Sequence, residues 1–138
     1  MNVNELELVE MWSDTDSTMR TRFNFPLHAA VGTNASAVVY FEIEPGEHLA
    51  THRDSAEEIL YVVAGTGEAR VGDDVIPLAE GTLGVVPQLV PHAVYNTGET
   101  TFKAVGFFAG AELEHVFDEP FQPVGTNVVH TPMAEVPA

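Results

Sequence analysis

The chain is divided into many short apolar segments, and this division is the feature that most restricts the folds open to it. Segments rich in β-branched and aromatic residues alternate with turn residues such as Pro45-Gly46 and Gly65-Thr66-Gly67. Segments this short favour strands over helices, and tight turns join antiparallel neighbours. The sequence therefore predicts an antiparallel sandwich or barrel, with strands at 22–28, 37–43, 49–52, 59–63, 67–71, 75–78, 83–86, 93–95 and 101–108.

The two ends of the chain differ from this middle part in their sequence patterns. Residues 5–12 begin by alternating glutamate and leucine, which is typical of a half-buried edge strand. Residues 111–117 suit a short helical turn, and prolines then interrupt the tail, which we expect to pack on the barrel or on a partner subunit. We predict one domain, 1–138, with a core at about 22–110 and a C-terminal extension at 111–138.

Charge and composition argue against several functional classes. The formal net charge is −16 and Lys103 is the only lysine, whereas nucleic acids and anionic membranes require a basic surface. Cysteine is absent, so neither a disulfide framework nor a thiolate metal site can form. The first residues are acidic rather than basic, and no apolar run approaches the length of a membrane span. A soluble, cytoplasmic protein is the expectation.

The acidic surface itself has two explanations. A solvated, charged shell keeps a small protein soluble and needs no special role. Alternatively, the surface is adapted to high salt, where screening suppresses the repulsion between carboxylates.

Four side chains lie in a spacing that suits one metal ion. His52 and Asp54 are two residues apart on a predicted strand and so point to the same face. Glu58 opens the next apolar segment and His92 opens a later one, so neighbouring strands of a small barrel can aim all four groups at one point. Imidazoles with carboxylates suit divalent Fe, Mn, Ni or Zn.

The same residues fall on two signatures, and through them the chain resembles the cupin superfamily. Gly46, His52, Glu58 and Gly65 match the spacing of the first signature, and Gly81, Pro87, His92 and Asn96 match the second. Asp54 stands where the family usually has its second histidine. Leu89 stands where it usually has a glycine.

The resemblance implies an all-β fold of the cupin type, a double-stranded β-helix or jelly-roll barrel with short N-terminal and C-terminal extensions. It also implies a homodimer formed through such extensions and a small-molecule ligand or substrate. The favoured function is a mononuclear metalloenzyme of dioxygenase type. A metal-dependent isomerase, epimerase or lyase and a non-catalytic small-molecule-binding protein remain as alternatives, because one fold hosts all three.

Asp54 leaves three roles open. It binds the metal with His52, Glu58 and His92, or it stands off as a general base beside a two-histidine, one-carboxylate set, or its presence marks a barrel that has lost its metal. His48 is a second catalytic candidate, because it lies four residues before His52 and has the same parity in a regular strand.

The remaining predictions concern the pocket wall and the other histidines. If Lys103 faces solvent, alternation turns Phe102, Ala104, Gly106 and Phe108 inward, with Tyr40 or Phe41 contributing from an earlier strand. Three histidines have no spaced partner and are predicted to lie on the surface: His28, His115 and His130.

Overall fold

Twelve strands form two antiparallel sheets of six strands each in the computed structural model, which describes residues 1–133. The first sheet has the order β1-β2-β3-β10-β5-β8. Its strands are β1 (Val9–Trp12), β2 (Arg20–Leu27), β3 (Ala37–Ile43), β5 (Glu58–Ala64), β8 (Leu83–Val86) and β10 (Phe102–Phe108).

The second sheet has the order β12-β11-β4-β9-β6-β7. Its strands are β4 (His48–Asp54), β6 (Thr66–Val71), β7 (Asp74–Ala79), β9 (His92–Asn96), β11 (Leu113–Phe121) and β12 (Thr126–Thr131). Two single-turn 3₁₀ helices, Val3–Glu5 and Ala29–Val31, complete the regular structure of residues 1–133. This is the predicted all-β jelly roll. Among residues 1–133, no helix is long and apolar enough to cross a membrane.

The predicted helical turn at 111–117 is wrong. Residues 113–117 of this segment belong to β11, which pairs with β4 on one side and with β12 on the other. Its residues alternate between buried and exposed, as expected for a strand with one face on the core. The neighbouring strands also provide hydrogen-bond partners for its backbone, which a single helical turn would leave largely unpaired. The division into one domain with a core at 22–110 stays a prediction, and 134–138 lie outside the described residues.

The hydrophobic core lies between the two sheets. On β10 the residues Phe102, Ala104, Gly106 and Phe108 are buried while Lys103 is half-buried, so the predicted alternation is confirmed. The larger part of the core comes from the inner faces of β3, β5, β10 and their partners across the sandwich. Met11, Met19, Phe117 and Phe121 form a smaller, second cluster.

A β-bulge in β4 sets the direction of the side chains that follow it. Leu49 pairs with Val94 and His52 with His92, so three steps along β4 match two steps along β9. The extra residue reverses the alternation of the strand at this point. Leu49 and His52 therefore both face the space between the sheets, although they are an odd number of residues apart.

Candidate metal centre

Two neighbouring strands bring three potential metal ligands together. His52 and Asp54 lie on β4 after the bulge, and His92 is the first residue of β9 and the direct cross-strand partner of His52. All three side chains are buried. One ligand atom from each lies within 4.8 Å of the others, so the three residues form a group that could hold a metal ion.

The shortest distances in this group converge on one oxygen of Asp54. Its Oδ2 lies 3.1 Å from Nε2 of His92 and 3.6 Å from Nε2 of His52. The centroids of the two imidazole rings are 4.1 Å apart. Within residues 1–133, neither Oδ2 of Asp54 nor Nε2 of His92 has a well-aligned hydrogen-bond partner, which is rare for buried polar atoms.

Backbone carbonyls fix which ring nitrogen faces the site. Nδ1 of His52 donates to the carbonyl of Ala50 at 2.8 Å, and Nδ1 of His92 donates to the carbonyl of Val90 at 2.9 Å. In the neutral rings each Nε2 therefore carries a lone pair. Two nitrogen lone pairs and a carboxylate oxygen then meet in a buried space, and only a cation, either a proton or a metal ion, can satisfy all three. The residues fit a divalent ion.

The electrostatics of the site favour the protonation states that bind a metal ion for two of these residues, a neutral His52 and an ionised Asp54. Burial and the neighbouring His92 ring lower the pKa of His52 to about 4. Burial alone would raise the pKa of Asp54, but the hydrogen bond from His115 and the imidazoles of His92 and His52 outweigh it and hold that pKa well below its usual range. Burial alone would lower the pKa of His92, but the Asp54 and Glu58 carboxyl groups outweigh burial, and the pKa of His92 is raised above its usual value.

Glu58 lies beside this group rather than within it. Its Oε1 is 3.8 Å from Nε2 of His92. A Cβ atom at Gly106 would lie 2.0 Å from its Oε2, so the missing side chain of Gly106 makes room for the carboxyl group. Burial, together with the charge of Asp54, raises the pKa of Glu58 to about 8, so this carboxyl group holds a proton at neutral pH.

The structure separates His48 from the site. The prediction that it shares an inward face with His52 is wrong, because the β-bulge between them reverses the alternation of β4. His48 stacks on Tyr95 with ring centroids 4.8 Å apart, and its Nε2 lies 3.6 Å from Oδ2 of Asp16. It is not among the residues that line the cavity between the sheets.

His115, which the sequence predicts to lie on the surface, is buried next to the site. His115 is only 5% exposed, and its Nδ1 is 2.6 Å from Oδ1 of Asp54. The prediction of a surface position is therefore wrong for His115, because the pairing of β11 with β4 places it directly opposite Asp54. His130 is exposed and His28 half-buried. The signal that could have indicated an inward His115 is the period of a strand, which places His115 on the same face as the apolar residues Leu113 and Phe117.

The turn before His92 keeps its shape without the usual glycine. Leu89 occupies the left-handed region with φ of 64°, a conformation that a glycine adopts without strain. Its backbone N–H donates to the carbonyl of Asp54 at 3.0 Å, so the turn is tied to the strand that carries two of the candidate ligands. The departure from the signature at Leu89 therefore leaves the backbone path into His92 intact.

Other signature residues have structural roles. The Asn96 side chain donates to the carbonyls of Ile43 and Thr100, both at 2.8 Å, and accepts the N–H of Gly98. A Cβ atom at Gly65 would lie 2.9 Å from Cα of Phe102, so this glycine permits close packing of two strands. These residues shape the barrel around the site and do not enter it.

A cavity of about 90 Å³ opens beside the candidate metal ligands. Apart from the histidines and the two carboxyl groups, its wall is almost entirely hydrocarbon. Six aromatic rings line it: Phe23, Phe25, Phe41, Phe108, Phe117 and Phe121. Of the two aromatic candidates on β3, Phe41 reaches the cavity, whereas the Tyr40 hydroxyl donates to Glu42 outside it.

Fold and site together define a jelly-roll protein with a buried histidine–carboxylate group that could hold one metal ion. A family model described as the cupin domain matches residues 39–108, and the chain belongs to this family. No curated protein sequence matches the chain.

Solved structures with the same fold share little sequence with this chain. The oxalate decarboxylase of Lactobacillus farciminis has a TM-score of 0.72 at 18% identity, over 86% of this chain and 35% of that one. The oxalate decarboxylase of Bacillus subtilis, which has Mn(II) centres, has a TM-score of 0.64 at 18% identity, over 78% and 30%. The chain thus spans about a third of these two proteins.

A third structure is closer in length. The polyketide cyclase of Streptomyces resistomycificus has a TM-score of 0.64 at 15% identity, over 78% of this chain and 76% of that one. At sequence identities of 15–18%, the similarity to these three structures shows a shared fold alone.

Proposed function

We propose that this cupin is a mononuclear metalloenzyme of dioxygenase type that acts on a small, uncharged and mainly apolar compound. The observation that carries the proposal is the convergence of His52, Asp54 and His92 on one buried point, where Oδ2 of Asp54 and Nε2 of His92 lack a well-aligned hydrogen-bond partner within residues 1–133. Such a two-histidine, one-carboxylate set with open positions is used by non-haem Fe(II) oxygenases.

The proposed metal ligands are His52, Asp54 and His92, and the carboxyl group of Glu58 lies at the edge of the site. Of the three roles considered for Asp54, the ligand role has the best support, since Oδ2 faces both imidazoles. A bound divalent ion supplies Lewis acidity and, where it is redox-active like Fe(II), electron exchange with O₂. Fe, Mn, Ni and Zn all suit this ligand set.

The cavity wall supports an uncharged substrate. None of its lining residues within the described part of the chain is lysine or arginine, so the protein itself offers no counter-charge to a dicarboxylate or a phosphate. The cavity of about 90 Å³ is of the same order as the ~150 Å³ engineered apolar cavity that admits benzene. Phenylalanine rings here orient a single-ring compound and keep water from the reacting atoms.

An O₂-independent isomerase, epimerase or lyase is the second candidate, and Glu58 supports it. A carboxyl group that holds a proton near neutral pH beside a substrate cavity suits proton transfer. In that case Glu58 would exchange a proton with the substrate, and no oxidant would be consumed.

The test begins with the metal content of gently purified protein, and of Asp54→Ala and His92→Ala. Oxygen uptake by Fe(II)-loaded protein is then followed with a panel of small phenols and diketones. We expect stoichiometric metal in the wild type, loss of metal in both variants, and oxygen uptake with at least one substrate. Turnover that proceeds equally well without oxygen would favour the second candidate, and ligand-induced stabilisation without turnover would favour a binding protein.

We also propose that the protein is a homodimer. Its support is an apolar patch on the outer face of β5, β8 and β10, where Ile59 is 47%, Leu83 is 70% and Phe107 is 47% exposed. Ile59 pairs with Phe107 across the sheet, so the patch is continuous. Two copies of a chain with a net charge of −16 can meet on such a face without opposing carboxylates.

Light scattering across a dilution series tests the homodimer. Leu83→Asp should give monomers, while Val75→Asp, at an exposed position of the other sheet, should leave the dimer intact. A wild type that is monomeric at all concentrations would contradict the proposal.

A further inference from the structure

Asp54 is held from behind by a hydrogen-bonded pair on the C-terminal hairpin. Nδ1 of His115 lies 2.6 Å from Oδ1 of Asp54, and Nε2 of His115 lies 2.9 Å from the Thr131 hydroxyl. His115 and Thr131 are each 5% exposed, and Asp54 is 3% exposed. The three side chains thus form a buried chain from β4 through β11 to β12.

The hydrogen-bond directions follow from the chemistry of the partners. An ionised carboxylate can only accept, so Nδ1 of His115 donates to Asp54. In a neutral ring the other nitrogen then accepts, and the Thr131 hydroxyl donates to it. Phe25 and Phe108 pack on the His115 ring with centroid distances of 5.2 and 6.0 Å, so packing and hydrogen bonds together restrict its rotation.

The two oxygens of Asp54 consequently have different environments. Oδ1 accepts a hydrogen bond from His115. Oδ2 faces His52 and His92 and has no well-aligned hydrogen bond within residues 1–133. A carboxyl group without such a partner rotates easily about its last bond. With Oδ1 tied, Oδ2 is held towards the two imidazoles.

We propose that His115 is a positioning residue, oriented by Thr131, that makes Asp54 a single-oxygen metal ligand. This inference rests on the proposed metal site. Both residues lie outside the segment 39–108 that matches the family model, so the hairpin β11–β12 adds a support for the site from beyond that segment. Hydrogen-bond partners of this kind commonly change metal affinity by 10- to 100-fold.

The experiment uses Co(II) as the probe, because its absorption spectrum reports the ligand geometry independently of any enzymatic activity. Affinity is measured by competition with a chromogenic chelator. His115→Phe keeps a ring but removes the donor, and His115→Asn keeps a donor near the position of Nδ1. We expect His115→Phe to weaken Co(II) binding about 10- to 100-fold and to change the spectrum, with His115→Asn recovering most of both.

His130→Phe is the matched control, since His130 lies on the exposed side of the same hairpin and should leave affinity and spectrum unchanged. A folded His115→Phe protein with wild-type affinity and spectrum would overturn the proposal for His115 alone. A wild type that does not bind Co(II) would overturn the metal site and this inference together.

Thr131 provides the second test if His115→Phe does not fold. Thr131→Val removes the hydroxyl with little change of volume and should lower Co(II) affinity several-fold, whereas Thr131→Ser should behave like the wild type. Equal affinities in the valine and serine variants would refute the orientation of His115 by Thr131.

Discussion

Glu58→Gln offers a direct test of the electrostatics of the site. In the metal-free protein, burial and the charge of Asp54 raise the pKa of Glu58 to about 8, whereas in the unfolded chain it returns to about 4.3. Between these values the folded state holds a proton that the unfolded state has lost. The contribution of Glu58 to the free energy of unfolding is fully present below its unfolded pKa and is lost as the pH rises through 8.

The magnitude follows from proton linkage. One proton changes the free energy of unfolding by at most about 1.4 kcal/mol per pH unit, which gives a loss of roughly 1.5 kcal/mol between pH 6.5 and 8 for a folded pKa near 8. His52 contributes little in this window, because with a pKa of about 4 in the folded state it is mainly neutral in both states. His92 is present in both proteins and Glu58 helps to raise its pKa, so the difference between the two proteins reports Glu58 together with its effect on His92.

The assay is urea unfolding in the presence of a chelator, at several pH values from 6 to 9. The wild type should lose stability more steeply with rising pH than Glu58→Gln, by roughly 1.5 kcal/mol across the window. Glu57→Gln is the matched control, since the adjacent Glu57 is exposed and should follow the wild type. Identical slopes for the wild type and Glu58→Gln would refute the proton on Glu58 and would point to an ionised carboxylate instead.

Three further predictions concern the frame around the site. Leu89→Gly should raise the free energy of unfolding by roughly 0.5–1 kcal/mol, because it relieves a left-handed residue that is 59% exposed; a lower melting temperature would contradict this. Gly106→Ala should cost about 1–3 kcal/mol and remove the pH effect of Glu58, since the new Cβ would meet Glu58 and Val39; unchanged unfolding curves would count against this packing. The melting temperature should change little from low to molar KCl if the acidic surface serves solubility, whereas a large rise would support salt adaptation.

Much of the fold could be predicted from the sequence because it is encoded locally. The predicted strands at 37–43 and 83–86 coincide with β3 and β8, and the other predicted strands fall within a few residues of those observed. Turn residues mark where each strand ends, and the alternation of side chains depends only on neighbouring residues. The spacing of the two signatures likewise identified His52, Asp54 and His92, which the structure brings together.

Strand pairing decided what the sequence could not. The bulge that turns His48 away from His52 exists only because β4 pairs with β9, so parity counted along one strand gives the wrong face. His115 reaches Asp54 across 61 residues of chain, because β11 pairs with β4, and no local pattern records that contact. The sequence by itself determined the strands, their turns and three of the residues at the site. The tertiary structure alone decided which faces those strands present and which distant histidine supports Asp54, because both depend on hydrogen bonds between segments far apart in the chain.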